Sequence, residues 1–215
     1  MANKESYKKK REQQKKRTNL IVISVIVVFA VVVVAMIIVS QQPAKFEVVL
    51  PSLDAKPQPS GMNLGDPNAP VKVIEFADFQ CTVCHQYWLQ MEPSILSTYV
   101  ATGKVYYTFA NFAFFGQESS DAAAAAYCAN DQGKFWEYHD VIFANYQGEN
   151  VGAYTRDHLT AFAEKLGLDM TAFKDCLNGN KYAQKVKDDA TYATSLNVTG
   201  TPSFLVNGKL VYANE

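Results

Sequence analysis

The chain has 215 residues, with 20 basic and 21 acidic side chains, four cysteines and 48% hydrophobic residues. The first 19 residues hold eight basic and two acidic side chains, a net charge of +6, whereas the remainder has a net charge of −7. This split excludes a soluble, evenly charged enzyme. It also argues against nucleic acid as a partner, because the basic cluster precedes an apolar segment and the rest is acidic.

The first predicted element is a membrane anchor over residues 20–39. The run LIVISVIVVFAVVVVAMIIV contains no charge, glycine or proline, and as a helix it would be about 30 Å long, the thickness of a bilayer's hydrocarbon core. A cleaved signal peptide and a buried core helix are the alternatives, but the run is longer than a typical signal segment and lacks a small-residue cleavage site. We expect an uncleaved, single-pass anchor in the cell membrane.

The basic tail, residues 1–19, sets the expected orientation of that anchor. Positive flanks stay in the cytoplasm, so everything after Ser40 is predicted to be extracytoplasmic. The tail also suits contact with anionic lipid headgroups, although a plain topology signal is the simpler interpretation.

Residues 40–66 have the composition of a flexible linker, with four prolines and two glycines. The short apolar run Phe46–Leu50 within it suits either an edge strand or the membrane surface. Residues 67–215 supply enough chain for one domain with its own core.

The elements predicted in that domain are an apolar strand over 71–77, a helix from Cys81 to about Ala101 that Pro93 breaks, and a strand over 105–109. Helices are predicted over residues 119–130, 134–146, 157–166, 170–177 and 181–196. A hairpin over 203–206 and 209–212 turns at Asn207-Gly208. This order predicts an α/β domain with a helical insertion at about residues 117–196.

The candidate chemistry is a pair of cysteines, Cys81 and Cys84, where the first strand meets its helix. A helix N-terminus offers unpaired N–H groups and a positive dipole end, which stabilise a thiolate. The first thiol, which we expect to be accessible to solvent, would attack a disulfide and the second would resolve the product. Zinc is the alternative for a Cys-x-x-Cys pair, but four ligands are needed and no second close pair exists in the sequence. We therefore predict no metal.

Two other features favour redox chemistry. Glu75 lies in the apolar strand six residues before Cys81, and a buried carboxyl is costly unless it has a task such as moving the resolving thiol's proton. A surface glutamate at a strand end is the alternative. Thr201-Pro202 precedes the first hairpin strand, where a cis bond would expose backbone groups to a substrate strand; a trans turn proline is the alternative.

These motifs together resemble the DsbA family of thiol-disulfide oxidoreductases, which is a thioredoxin-fold family. The resemblance covers about residues 64–212. It is carried by three runs of sequence: VKVIEFADFQCTVC over 71–84, GKFWEYHD over 133–140 and GTPSF over 200–204.

The resemblance implies a thioredoxin fold with a helical insertion. It implies Cys81 as attacking thiol, Cys84 as resolving thiol, Glu75 as buried acid and Pro202 as a cis proline that, with Thr201, contacts substrate. It implies oxidation of exported proteins that carry free thiols, without a bound cofactor. The expected reoxidant is a quinone-linked membrane protein of the DsbB or vitamin K epoxide reductase type. Alternatives are a reductase or isomerase on the same scaffold, or a structural or docking subunit of a membrane complex.

Two departures from the family pattern matter. The residues between the cysteines are Thr82 and Val83, where many strongly oxidising members carry Pro-His, so a less oxidising potential is expected. The thioredoxin fold also ends with a helix that has no counterpart before Glu215, so we expect exposed apolar area around Phe204 and Val206.

The remaining cysteines, Cys128 and Cys176, are predicted to form a structural disulfide within the insertion. The Cys-x-x-Cys pair uses the other two of the four cysteines, and an extracytoplasmic location permits oxidation. Two separate buried thiols are the alternative.

Overall fold

The computed structural model describes residues 2–40 and 46–212, with the backbone alone for 2–14, 22 and 37–40. The chain divides into two compact units, residues 1–46 and 47–215. The first unit contains one long helix, α1 (Ala2–Ser40). Among the described residues, Lys15–Met36 is long and apolar enough to cross a membrane, with a mean hydropathy of 3.0. This span overlaps the anchor predicted over 20–39.

The second unit is built on a five-stranded sheet. Its strands are β1 (Asn63–Leu64), β2 (Val71–Ala77), β3 (Val105–Asn111), β4 (Ser203–Val206) and β5 (Lys209–Tyr212). They lie in the order β1-β3-β2-β4-β5, with β2 and β3 parallel and the other neighbours antiparallel. β2 is therefore central and its second half is buried, which explains why its sequence is apolar almost throughout.

A broken helix connects β2 to β3. α2 (Thr82–Gln90) has Met91 as its C-cap, and α3 (Glu92–Ile95) carries Pro93 in its first turn. One π-helical turn, Leu96–Val100, follows. The break predicted at Pro93 is confirmed, because proline has no N–H for the helix ladder and its ring clashes with the preceding turn.

Five helices separate β3 from β4. They are α4 (Gln117–Asn130), α5 (Phe135–Ala144), α6 (Arg156–Lys165), α7 (Met170–Asn178) and α8 (Ala183–Ser195). Cys128 on α4 and Cys176 on α7 form a disulfide with a Cα–Cα distance of 5.9 Å. The five alanines at 122–126 are buried, where their small side chains let neighbouring helices approach α4 closely.

Both faces of the sheet carry packed side chains. On one face Phe76 and Leu205 pack with Ala193 of α8. On the other, the ring of Phe204 lies 4.9 Å from that of Tyr87 on α2. Phe204 and Val206, where exposed apolar area was expected, are both half-buried in the described chain.

The segment over residues 47–62, which we call the N-terminal strap, differs from the predicted linker. The side-chain amide of Asn145 bonds both the N–H (2.9 Å) and the carbonyl (2.8 Å) of Val49. Lys56 pairs with acidic residues of α3 and α5, and Leu64 adds a short strand to the sheet through β1. Phe46–Leu50 is not a strand. A proline-rich composition indicates extended chain, but it does not distinguish solvated chain from chain held by distant polar side chains.

Candidate active site

Cys81 stands at the N-terminus of α2, shortly after β2. Its backbone is extended (φ −72°, ψ 121°), and its Sγ accepts a hydrogen bond from the backbone N–H of Cys84 at 3.3 Å. This is the N-cap position, where a side chain meets the unpaired N–H groups of the first turn. Cys81 was expected to be accessible to solvent, yet it is only 4% exposed. The loop before β4 contributes to this burial, since the carbonyl oxygen of Thr201 lies 3.2 Å from the Cys81 sulfur.

The contacts of Cys81 favour its thiolate. A hydrogen bond from the Cys84 side chain is the largest contribution, and it acts with the Thr201 side chain and the backbone N–H groups of Cys84 and Val83. Together these donors outweigh the effect of burial and lower the pKa of Cys81 to about 6. Because the thiolate is the nucleophile, this lowered pKa favours Cys81 over Cys84 as the attacking sulfur.

Cys84 lies one turn into α2 and has no exposed surface. Burial raises the pKa of the Cys84 thiol well above its usual value, and the negative charges of Cys81 and Glu75 raise it further. The two free thiols of the described chain are therefore unequal. One ionises readily and the other is held neutral and shielded.

Glu75 lies in the central strand behind the dithiol and is 1% exposed. Its Cα partners are Phe109 on β3 and Phe204 on β4. The hydroxyl of Tyr107 donates a short hydrogen bond to the carboxyl of Glu75. Burial, and then the charge of Glu92, raise the pKa of Glu75 to about 8, although the Tyr107 hydrogen bond lowers it. The alternative of an ordinary surface glutamate is wrong.

A cis peptide bond joins Thr201 to Pro202, so the expected cis bond is present. The loop that contains it leads into β4, which pairs with β2. It therefore faces the start of α2, and the Cys81 thiol donates to the carbonyl of Thr201. Cys81, Cys84, Glu75 and this loop thus meet in one place.

One neighbour of the dithiol, Tyr146, was not identified from the sequence. The hydroxyls of Thr82 and Tyr146 lie 2.6 Å apart, and the Tyr146 ring stacks on His85 at 4.6 Å. Burial lowers the pKa of His85, so it adds no positive charge near the sulfurs at neutral pH. Tyr146 lies 61 residues beyond His85 in the sequence, so no local sequence pattern indicates that the two side chains meet.

Asp78 supports the turn between β2 and α2. Its carboxyl accepts hydrogen bonds from the backbone N–H of Gln80 and Phe114, both at 2.8 Å, and from the Ser119 hydroxyl at 2.6 Å. These bonds indicate a structural role, because they tie the dithiol loop to the end of β3 and the start of α4.

The fold and the dithiol define a class, that of thioredoxin-fold proteins with a redox-active cysteine pair. The thioredoxin family profile matches residues 57–215. Over 152 residues the chain is 38% identical to a probable disulfide bond formation protein D of Bacillus cereus, with 69% of this chain and 70% of that protein covered.

Solved structures agree with this assignment. BdbD from Bacillus subtilis superposes with a TM-score of 0.66 at 27% identity, covering 73% of this chain and 88% of that one. Wolbachia pipientis alpha-DsbA1 gives a TM-score of 0.61 at 29% identity, covering 72% and 77%. The chain belongs to the DsbA family of protein thiol-disulfide oxidoreductases. The match begins at Pro57, inside the predicted linker, which agrees with the packing of the N-terminal strap on the domain.

Proposed function

We propose that this chain introduces disulfides into exported proteins with the Cys81–Cys84 pair as oxidant. The observation that carries this direction is the stabilised thiolate of Cys81, whose pKa is lowered to about 6. Stabilising a thiolate of the reduced enzyme makes reduction of the enzyme, and hence oxidation of the substrate, more favourable.

The exchange begins when a substrate thiolate attacks Cys81 of the oxidised pair. A bond forms between the substrate sulfur and Cys81, the Cys81–Cys84 bond breaks, and its electron pair goes to Cys84. A second substrate thiolate then attacks the substrate sulfur of the mixed disulfide, and Cys81 leaves as a thiolate. The substrate has gained a disulfide and the enzyme pair has gained two electrons.

Glu75 is the proposed proton carrier for Cys84. With a pKa of about 8 it holds a proton at neutral pH, and it transfers this proton to the Cys84 sulfur as the disulfide opens. In reoxidation the same carboxylate accepts the proton back. Thr201 and Pro202 are the proposed substrate contact, since their loop touches Cys81.

We infer that α1 anchors the protein in the cell membrane, with its N-terminus in the cytoplasm and residues 47–215 outside. The basic tail and the apolar span Lys15–Met36 support this orientation. Mass spectrometry of the protein from membranes should detect peptides from residues 1–19. A mature N-terminus after about Ser40 would instead indicate a cleaved signal.

The reduced pair needs an electron acceptor after each turnover. We propose a quinone-linked membrane protein of the DsbB or vitamin K epoxide reductase type, a partner that the family resemblance suggests. Membranes that contain such a protein should reoxidise the pair at a rate that depends on added quinone. Reoxidation that is independent of both membranes and quinone would contradict this partner.

An isomerase or reductase is the second candidate, because Val83 stands where a histidine would add positive charge beside the thiolate. The redox potential against glutathione separates an oxidase from a reductase, and the recovery of activity by scrambled ribonuclease separates an oxidase from an isomerase. An oxidase without that histidine should lie between about −120 mV, as for DsbA, and about −270 mV, as for thioredoxin. It should oxidise reduced ribonuclease faster than it reduces insulin. A potential near or below that of thioredoxin, with the opposite preference, would contradict the proposal.

A further inference from the structure

Four charged or titratable side chains lie together behind α2, outside the dithiol. We call Lys56, Glu92, His139 and Asp140 the charged cluster. The Lys56 ammonium lies 3.3 Å from a carboxylate oxygen of Glu92 and 3.0 Å from one of Asp140. Nδ1 of His139 lies 2.9 Å from Asp140, and Nε2 lies 3.9 Å from Glu92. Glu92, His139 and Asp140 are all buried, so this cluster is costly to maintain.

The acidic members of the cluster could bind a cation, because ligand atoms of Glu92, His139 and Asp140 lie within 4.8 Å of one another. The Lys56 ammonium already bonds both carboxylates, so the chain supplies the positive charge itself. Lys56 comes from the N-terminal strap, whereas the acids come from α3 and α5. The strap therefore brings a counter-charge into the core of the domain.

The cluster is electrostatically linked to the dithiol through Glu92. After burial, the Glu92 charge is the largest contribution that raises the pKa of Glu75. Besides Glu92, the titratable groups that face Glu75 are Tyr107, which bonds it, Tyr87, whose hydroxyl lies 3.4 Å from that of Tyr107, and the two thiols.

The two buried acids have different partners. Burial raises the pKa of Glu92, whereas His139 and then the Lys56 ammonium lower it, and Asp140 lies nearby as a like charge. Glu75 receives one hydrogen bond from a neutral phenol. When one proton is distributed between two interacting carboxyls, the negative charge resides on the one with the cationic partner. That carboxyl is Glu92, so the proton resides on Glu75.

We propose that Lys56 is a positioning residue for the redox reaction: by holding Glu92 as a carboxylate, it keeps the proton of this acid pair on Glu75, where Cys84 needs it. The inference rests on the proposed role of Glu75. Lys56 touches neither sulfur nor substrate and acts through Glu92. The strap thus contributes to proton transfer as well as to the packing of the domain.

The sign of the effect distinguishes this action from a direct one. Without Lys56, the buried Glu92 would take up a proton, its charge would disappear, and the pKa of Glu75 would fall. If Lys56 instead acted directly on Glu75, removing its positive charge would raise that pKa. If Lys56 had only a structural role, its removal would change the stability of the fold and leave the pKa of Glu75 unchanged.

The test is a carbon-13 NMR titration of the glutamate carboxyls in the reduced full-length protein in detergent, with Glu75→Gln and Glu92→Gln to assign the two signals. In Lys56→Met we expect the Glu75 midpoint to fall by about one unit or more and the Glu92 midpoint to rise. Lys56→Arg, which keeps the charge, should stay near the wild type. An unchanged or raised Glu75 midpoint in Lys56→Met would overturn the proposal.

A second comparison covers the case in which Lys56→Met does not fold. Glu92→Gln alone should lower the Glu75 midpoint, and Lys56→Met added to Glu92→Gln should lower it no further. A further fall in the double variant would show that Lys56 does not act through Glu92. The titration needs no substrate, so it is independent of the oxidase direction, which the exchange assays on Glu75→Gln test separately.

Discussion

The chain contains two cysteine pairs with opposite surroundings. Cys81 and Cys84 are three residues apart at a helix start, with backbone donors, a carbonyl and a buried acid around them. Cys128 and Cys176 are 48 residues apart and join α4 to α7. Both pairs are buried, so burial does not separate the redox-active pair from the structural one.

The two pairs differ in whether their surroundings stabilise a thiolate. At the first pair, hydrogen bonds lower the pKa of Cys81 to about 6, so the reduced state is stabilised. At the second pair, the disulfide closes a long loop and constrains the unfolded chain. The polar groups that surround a sulfur, rather than its exposure, therefore decide whether the pair exchanges or stays closed.

Among the predicted changes, removing the attacking thiol of Cys81 should have the largest effect. Cys81→Ser should lose oxidation of reduced ribonuclease entirely, because the Cys81–Cys84 disulfide that a substrate thiolate attacks cannot form. Cys84→Ser is the matched variant: it keeps the attacking thiol, lacks the resolving one and should accumulate mixed disulfides with exported proteins in the cell. If Cys81→Ser keeps oxidase activity, or traps substrates as well as Cys84→Ser does, the assignment of the two sulfurs is wrong.

Removing the other pair should affect stability rather than exchange. Cys128→Ala with Cys176→Ala opens a loop with a sequence separation of 48 residues, which should cost about 4 kcal/mol in the chain-entropy account. Thermal unfolding measures this loss, and the ionisation of Cys81 in the folded variant should not change. A shifted Cys81 titration with unchanged stability would reverse the roles given to the two pairs.

Replacing the buried acid should slow exchange and remove a pH dependence of stability. Glu75→Gln should slow the opening of the Cys81–Cys84 disulfide by about 100-fold, measured by stopped-flow fluorescence with a thiol peptide. The pKa of Glu75 is raised in the folded protein from 4.5 to about 8. Its protonation therefore stabilises the reduced fold fully below about pH 4.5, and this contribution is lost as the pH rises through about 8.

In Glu75→Gln, that fall in the stability of the reduced protein between pH 4.5 and 8 should be smaller, as thermal unfolding at several pH values would show. Glu118→Gln, at an acid that bonds backbone N–H groups of Gly152 and Tyr154 instead, is the control for the change from a carboxyl to an amide. An unchanged slope in Glu75→Gln would contradict the raised pKa.

The smallest predicted change concerns the hydrogen bond that the Cys84 side chain donates to Cys81. Its hydrogen bond is the largest contribution to the lowered pKa of Cys81. Cys84→Ala removes the donor and should raise the pKa of Cys81 by about one unit or more, whereas Cys84→Ser keeps a donor and should stay closer to 6. Ultraviolet absorbance of the thiolate against pH measures both. Equal titrations in the two variants would mean that the Thr201 side chain and the backbone donors stabilise the thiolate without the Cys84 side chain.

Much of the fold follows from the sequence, because local patterns produce it. The bounds of β2, β4 and β5 agree with the predicted strands, and the helices of the insertion agree to within about two residues. The apolar run of β2, the Asn207-Gly208 turn and the alanines of α4 are each signals within a few residues. The Cys-x-x-Cys pair and Glu75 were found in the same way.

What the sequence did not reveal depends on contacts between distant residues. Lys56 meets Glu92 and Asp140 across 36 and 84 residues, and Cys81 meets Thr201 across 120. Such polar contacts have no periodicity, so the strap was interpreted as a linker and Cys81 as exposed. Glu92, which stands directly before Pro93 and beside apolar helical residues, was the one local sequence feature that indicated the charged cluster.

The most direct test of the account is the alkylation of the reduced wild-type protein by iodoacetamide as a function of pH, with the modified cysteine identified by mass spectrometry. The account predicts modification of Cys81 with a midpoint near pH 6, while Cys84 stays unmodified until well above its usual range. Preferential modification of Cys84, or a Cys81 midpoint near the ordinary value of 9.0, would contradict it.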